Sequence, residues 1–245
     1  MLDTLRVKQA LKPEILSDSS TMEGMSELRK VSMLDKSMID TSKVIYCMRH
    51  GETPLDVAQR CDSWVDAHLS DEGVQGVVAT LSNYLQTLSI TEIFSCDFKR
   101  TSGTADLVKS GLPTDPKVTI NNDMKTWNLG TIGGDKKTPD RKKTVKHLMQ
   151  NPEMHAPDGE SYAEFTKRFD VFVKKQMKGI ESGKIKGPVL DIFSGSCFRR
   201  LGDLVKGDRN ALDVKEAGLV MLYFVNGRWD GMVISSLDED DEEIS

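Results

Sequence analysis

The chain has 245 residues, of which 38% are hydrophobic, and a formal net charge of −5. That length holds one sizeable core plus extensions, and no apolar run approaches the ~20 residues of a membrane-spanning helix. Six acids sit in one run, DEDDEE at Asp238–Glu243, so the remainder carries −5 + 6 = +1; a body this close to neutral is not expected to present a nucleic-acid-binding surface.

Residues 1–42 read as a polar extension rich in Met and Ser. Leu5, Val7, Ala10 and Leu11 line one side of a short helix before Pro13, and Met22, Met25, Leu28, Val31 and Leu34 mark a second amphipathic piece. Left exposed, these side chains would form an unusually apolar surface. They are expected to pack on the domain itself or on a protein partner, a second copy included. The N-terminus lacks the apolar core of a signal peptide, and Asp3 and Glu14 do not suit a transit peptide. A place in the cytoplasm or within a virion is therefore expected. The four cysteines form no CxxC pair, which reads as reduced, partly buried thiols.

Val44–Met48 (VIYCM) is a short apolar, β-prone run, the signature of a strand covered on both faces. It ends abruptly in Arg49, His50, Gly51, Glu52 and Thr53. In open α/β sheets ligands bind beyond the carboxyl ends of strands. An arginine there can fork onto phosphate oxygens, and a neutral imidazole can attack phosphorus. Ser70 caps a predicted helix over 71–88, whose buried side holds Val74, Val77, Val78, Leu81, Tyr84 and Leu85. Ile90–Ser95 is the next strand, and Arg100 opens the helix after it, again placing a cation at a strand end. A short strand at Lys117–Ile120 and a glycine-rich loop at Trp127–Gly134 follow. Pro139–Gln150 predicts a helix crowded with Lys136, Lys137, Arg141, Lys142, Lys143 and Lys146, which reads as a solvated face. A long helix over 159–183, a strand at Val189–Phe193 and a helix from about Cys197 come next. The chain then forms a hairpin, Leu219–Val225 with Trp229–Ser235, turning at Asn226–Gly227. Strands alternating with helices predict a mostly parallel sheet covered on both faces.

Four ordered blocks resemble the histidine phosphatase superfamily, in its phosphoglycerate-mutase-like group. They are the strand followed by RHGET, the spacing of Arg60, Trp64, Asp66, Leu69 and Gly73, the segment SCDFKRTSGTA (Ser95–Ala105), and PDGES ending at Glu160 and Ser161. The resemblance runs from about Lys43 to about Ile234. It implies an α/β fold, a three-layer α/β/α sandwich with a mostly parallel six-stranded sheet and one antiparallel strand. It divides the chain into an extension (1–42), the domain (43–236) and an acidic tail (237–245). It makes His50 the nucleophile that becomes phosphohistidine and Arg49 and Arg100 the phosphate clamp, in a reaction needing no metal or other cofactor. Glu160 is left with two roles: orienting a pocket arginine or histidine, or acting as a first-turn carboxylate at a helix N-terminus.

The same resemblance exposes three departures. Relatives carry a second histidine after a later strand; here Ser194 stands there, a hydrogen-bond donor without positive charge. Many relatives place a phosphate-contacting asparagine where this chain has Asp56. The leaving oxygen needs a proton, yet the position of the family's glutamate is Thr126, and that of the aspartate in a W-D-L-G version is Asn128. Asp97, Asp123 and Asp135 lie nearby in sequence without an assigned place, and His68, His147 and His155 read as structural or exposed, at spacings that make no metal site. Two readings remain open. One is an impaired histidine-phosphatase fold kept as a binding or structural module of a larger assembly, a viral one included, with a phosphate-containing ligand. The other is a working phosphomonoesterase or mutase.

Overall fold

A computed structural model of the chain describes residues 39–235. The two amphipathic pieces expected in residues 1–42 and the acidic run at Asp238–Glu243 lie outside the described residues. Six strands form one sheet: β1 (Val44–Arg49), β2 (Glu92–Ser95), β3 (Lys117–Ile120), β4 (Val189–Phe193), β5 (Leu219–Val225) and β6 (Arg228–Ser235). Their spatial order is β3-β2-β4-β1-β5-β6. β3, β2, β4 and β1 run parallel, and β5 lies antiparallel between β1 and β6. The helices are α1 (Pro54–Val57), α2 (Asp71–Thr80), α3 (Lys99–Gly111), α4 (Pro139–Gln150), α5 (Tyr162–Glu181) and α6 (Gly195–Lys206).

The central strands β1 and β4 are buried almost throughout, as their continuous apolar runs require. Alternate residues feed two cores. On one face Ile45, Cys47, Val189 and Phe193 meet Phe165, Phe169 and Phe198 from α5 and α6. On the other, Val44, Tyr46, Met48, Leu190 and Ile192 meet Val77, Leu81, Ala105 and Val108 from α2, the turn directly after it, and α3. The result is the expected three-layer α/β/α sandwich. The hairpin turns at Asn226 and Gly227, whose φ values of 51° and 78° suit the left-handed tight turn that these residue types favour. Among the described residues no helix is long and apolar enough to cross a membrane.

Two predicted helices change at their ends. The helix expected to run to Leu88 stops as an α-helix at Thr80 and passes into a wide π turn over Leu81–Leu85. Thr80 Oγ1 donates to Ala217 O at 2.8 Å, and the wider turn keeps Leu81 and Leu85 in the core together with Val77. The long helix starts at Tyr162, three residues later than expected, because Ser161 and Glu164 close a capping box there.

Two glycines of the RHG and Leu69–Gly73 blocks are explained by backbone contact. A Cβ on Gly73 would lie 2.1 Å from Glu52 O, and one on Gly51 would lie 2.5 Å from Gly73 O. The start of α2 therefore packs directly on the chain leaving β1, which is possible only where neither residue has a side chain.

Candidate active site

The carboxyl edge of the sheet gathers the residues singled out in the sequence. Arg49 pairs with Phe193 in the β1–β4 ladder, and His50 N donates to Phe193 O at 3.0 Å. His50 and Ser194 thus leave adjacent strands side by side. Arg100 arrives from the first turn of α3, which begins four residues after β2 ends. Phe98 occupies the N-cap of α3 and has no capping side chain to offer. Asp66 supplies the missing acceptor, taking a hydrogen bond from Lys99 N at 2.7 Å.

His50 is 1% exposed. Its Nδ1 lies 2.8 Å from Gly51 O. A carbonyl only accepts, so Nδ1 carries the proton and, in the neutral ring, Nε2 holds the lone pair. Burial, and then the charges of Arg100 and Arg49, lower the His50 pKa to about 3, so the ring is neutral at physiological pH. Gly51 N donates to Thr104 Oγ1, which itself donates to Arg100 O, tying the RHG turn to α3.

The two arginines are committed to the protein. Arg49 donates to Val214 O at 2.7 Å and to the Glu216 carboxylate, while its Nε is buried without a hydrogen-bond partner. Arg100, 0% exposed, donates to Val65 O at 2.8 Å and Ser63 O at 2.7 Å, with its guanidinium over the Phe98 ring.

In front of the histidine stands a residue that the sequence did not single out. Asp62 Oδ2 lies 3.6 Å from His50 Nε2 and 3.9 Å from Arg100 Nε, and its Oδ1 is buried without a hydrogen-bond partner. Burial, and the neighbouring Asp56, push the Asp62 carboxyl up to about 6 against the pull of Arg100, Lys137 and Arg49. The one available signal was an acid inside the Arg60–Asp66 block; nothing local says that its side chain turns toward His50.

Asp56 serves the backbone first. Its carboxylate accepts from Thr53 N and Oγ1, closing the capping box of α1, and its other oxygen lies 3.8 Å from Lys137 Nζ. The internal pair considered for it is thus made to a lysine, not an arginine. Glu160 is not the first-turn carboxylate of α5, a position held by Glu164, because the helix starts beyond it. Glu160 orients an arginine, and that arginine is Arg168. Their fork has distances of 2.6 and 3.1 Å, and Glu160 Oε1 also accepts from Asn128 N. Arg168 in turn holds the carbonyls of Asp123, Lys125 and Thr126. This pair shapes the Trp127–Gly134 loop and touches neither Arg49 nor Arg100. Gly130, at φ +52°, is fixed against Pro157, where a Cβ would lie 1.8 Å from the carbonyl.

A cavity of about 590 Å³ opens above these residues, with Arg49, Asp56, Asp62, Thr126, Ser194 and Ser196 among its lining groups. Thr126 is engaged with Ser196 through their hydroxyls. Of the three unassigned acids, Asp135 reaches the cavity wall, paired to Arg141 at 2.7 Å, whereas Asp97 pairs with Lys125 and Asp123 is exposed. Among the described residues no group of three or more His, Cys, Asp or Glu side chains is placed to hold a metal ion.

The architecture has close counterparts. A phosphoglycerate mutase from Bacillus anthracis str. Sterne superposes with a TM-score of 0.65 at 20% identity, covering 78% of this chain and 91% of that one. YhfR from Bacillus stearothermophilus does so with a TM-score of 0.65 at 21% identity, covering 80% and 98%. At these identities the likeness establishes the fold. In sequence, proteins named "Probable phosphoglycerate mutase GpmB" from Yersinia pestis (strain Pestoides F) and Yersinia pseudotuberculosis serotype O:1b are 27% identical over 132 residues, which is 51% of this chain. The match spans 58% of the length of those relatives. Residues 45–186, more than half of the chain, match the Histidine phosphatase superfamily (branch 1). With that match, and with Arg49 and His50 at the end of the central strand of this sheet, the chain belongs to the histidine phosphatase superfamily.

Proposed function

We propose that the chain is a histidine-phosphatase-like domain with impaired phosphoryl transfer, serving as an anion-binding or structural module in a larger protein assembly that it reaches through residues 1–42. The observation that carries this reading is the position of Asp62. Attack on phosphorus requires the reacting atoms to come within about 3–3.5 Å. The Asp62 carboxylate stands 3.6 Å from His50 Nε2, so it occupies the space that a phosphoryl group would need. It also neutralises part of the charge of Arg100, which gives one donor each to Val65 O and Ser63 O and whose Nε is buried without a hydrogen-bond partner. Ser194 offers a hydroxyl where the family resemblance calls for a second imidazolium. The loss of one such charged donor is worth roughly a hundred- to a thousandfold in rate. Thr126, engaged with Ser196, is no proton donor for a leaving oxygen.

One observation favours the second reading, a phosphomonoesterase or phosphoglycerate-mutase-like enzyme working through a phosphohistidine at His50. The imidazole is neutral and in the tautomer that leaves Nε2 free to attack. Hydrolysis of p-nitrophenyl phosphate and of 3-phosphoglycerate by the wild type and His50→Ala, between pH 5 and 8, separates the two. The impaired module gives no turnover above that of His50→Ala. Robust turnover abolished by the substitution, with phosphate trapped on His50, establishes the enzyme.

A further inference from the structure

Ser235, the last residue of β6, fixes where the acidic run that follows it can reach. β6 runs antiparallel to β5, and β5 antiparallel to β1, so β6 ends at the same carboxyl edge as the parallel strands. The ladders place Met48, Leu219 and Ser235 level with one another, one residue short of Arg49. The chain therefore leaves the sheet at the edge that carries the cavity, two strands from β1, which is about 10 Å. The run DEDDEE begins three residues on, at Asp238, and extends to Glu243. At ~3.3 Å per residue, the eight residues after Ser235 span about 26 Å.

A track of contacts leads from β6 to the outer wall of the cavity. Leu212, between α6 and β5, packs on Gly231 of β6, its Cδ1 3.2 Å from where a Cβ would stand. Three residues earlier, Arg209 brings its guanidinium 3.4 Å from Met149 Sδ of α4. Lys142, Val145, Lys146 and Met149, at i, i+3, i+4 and i+7, form one stripe of α4, and all four line the cavity. Other basic side chains of the cavity are engaged: Arg49 with Glu216, Lys137 with Asp56, Arg141 with Asp135 and Arg199 with Asp213. Lys136, Lys142, Lys146 and Arg209 line it without an ion-pair partner among the described residues. The chain without its acidic run carries only −5 + 6 = +1, so this excess of cations is local. Uncompensated cations on one wall, and six consecutive acids leaving a strand at the same edge, are complementary in charge and within reach of each other.

We propose that Asp238–Glu243 turns back on its own domain and pairs with Lys142, Lys146 and Arg209, laying an acidic strap across the cavity. Each contact is an exposed ion pair, weak by itself and screened by salt. The strap holds because it is tethered: a short linker gives an effective concentration on the order of 1 mM. Its consequence is regulatory and rests on the anion-binding reading given above. Anions entering from solvent compete with the strap, so access to the cavity rises with ionic strength or when a basic partner takes up the acidic run. The pairing itself rests on charge and reach, and stands whether or not His50 transfers phosphate.

The test uses a fluorescent DEDDEE peptide added in trans to the full chain at low ionic strength. A second full-length protein has the run neutralised by Asp238→Asn, Glu239→Gln, Asp240→Asn, Asp241→Asn, Glu242→Gln and Glu243→Gln. The neutralised variant is expected to bind the peptide. The wild type should bind it about tenfold more weakly, the effect of a tethered competitor near 1 mM on a peptide that binds at about 0.1 mM. Adding Lys142→Ala and Lys146→Ala to the neutralised variant should remove most of the binding, whereas Lys142→Arg and Lys146→Arg should retain it. In the wild type, carbodiimide coupling joins a carboxylate to a lysine amine as the reagent takes up the elements of water. It should link the run to Lys142 or Lys146 within the monomer and leave unlinked Lys184, which precedes β4 at the opposite edge. Equal peptide affinity in the wild type and the neutralised variant overturns the proposal, as does no binding to the neutralised variant. Links confined to a covalent dimer also overturn it, by placing the run on a second copy. None of these readouts depends on turnover, so phosphatase activity would overturn the impaired-transfer reading and leave this proposal standing.

Discussion

The carboxyl group of Asp191 offers the sharpest test of the energetics of this fold. It sits in the middle of β4, 2% exposed, between Cys47 of β1 and Phe94 of β2 in the ladders. Gln176 of α5 donates to its Oδ1 at 2.8 Å. That single hydrogen bond lowers the pKa less than burial raises it, and the Glu92 charge raises it further, so the group is pushed up to about 8. Between its ordinary value of 3.8 and about 8, the folded chain holds a proton that the unfolded chain has released. Stability must therefore fall as pH rises through that window and level off above it. At about 1.4 kcal/mol per unit of pKa, the cost reaches the order of 5 kcal/mol at pH 8. Asp191→Asn keeps an oxygen for Gln176 and presents an N–H where the protonated acid presents an O–H, but it has no charge to bury. The two proteins should be about equally stable at pH 4. At pH 8 the variant should be more stable by several kcal/mol, a rise in Tm of about 10 °C for a chain of this size. Urea denaturation followed by tryptophan fluorescence at pH 4, 6 and 8 measures the difference, from which every other titrating group cancels. Parallel stability profiles, or a variant less stable at every pH, would refute the assignment of a neutral buried acid.

Three further outcomes are expected. Asp62→Asn removes the carboxylate in front of His50, and at an effective dielectric constant near 20 a charge at such a distance is worth about 4 kcal/mol. Sulfate, whose charge does not change between pH 5 and 8, should bind the variant at least about tenfold more tightly than the wild type at pH 8. Wild-type affinity should rise as pH falls through about 6, the Asp62 value, and the variant's should stay flat. Gly73→Ala drives a Cβ to 2.1 Å from Glu52 O, a backbone atom that cannot swing aside. A loss of about 3 kcal/mol is expected, seen as a Tm lower by roughly 10 °C or as insoluble protein. Deleting residues 1–42 should leave a folded, monomeric domain and abolish association, as read by light scattering and thermal melting. A monomeric full-length chain whose truncation melts much lower would place those residues on their own domain.

What the sequence determined by itself is whatever depends on near neighbours. The apolar run Val44–Met48 is a strand because β-branched and apolar residues in succession suit a position buried on both faces. Asn226–Gly227 is a turn because those two residues tolerate positive φ. Ser70 starts α2 where its capping chemistry says a helix should start, its side chain accepting from Gly73 N. Arg49, His50, Arg100 and Ser194 meet at one edge because each ends or follows a parallel strand, and parallel strands end on the same side. What those side chains do was decided by partners far away in the chain. Arg49 is held by Val214 and Glu216, 165 and 167 residues on. Arg100 is held by the carbonyls of Ser63 and Val65, and Asp62 turns toward His50 only because that loop folds back over α3. Glu160 serves Arg168 because α5 begins after it, and the lysines of α4 line a cavity because Val145, Leu148 and Met149 of that helix pack on the core beside it. Charge and hydrogen-bond demand are properties of a residue type and can be read one letter at a time. Which acceptor satisfies a given donor, and whether water is excluded around it, depends on the position of the whole chain.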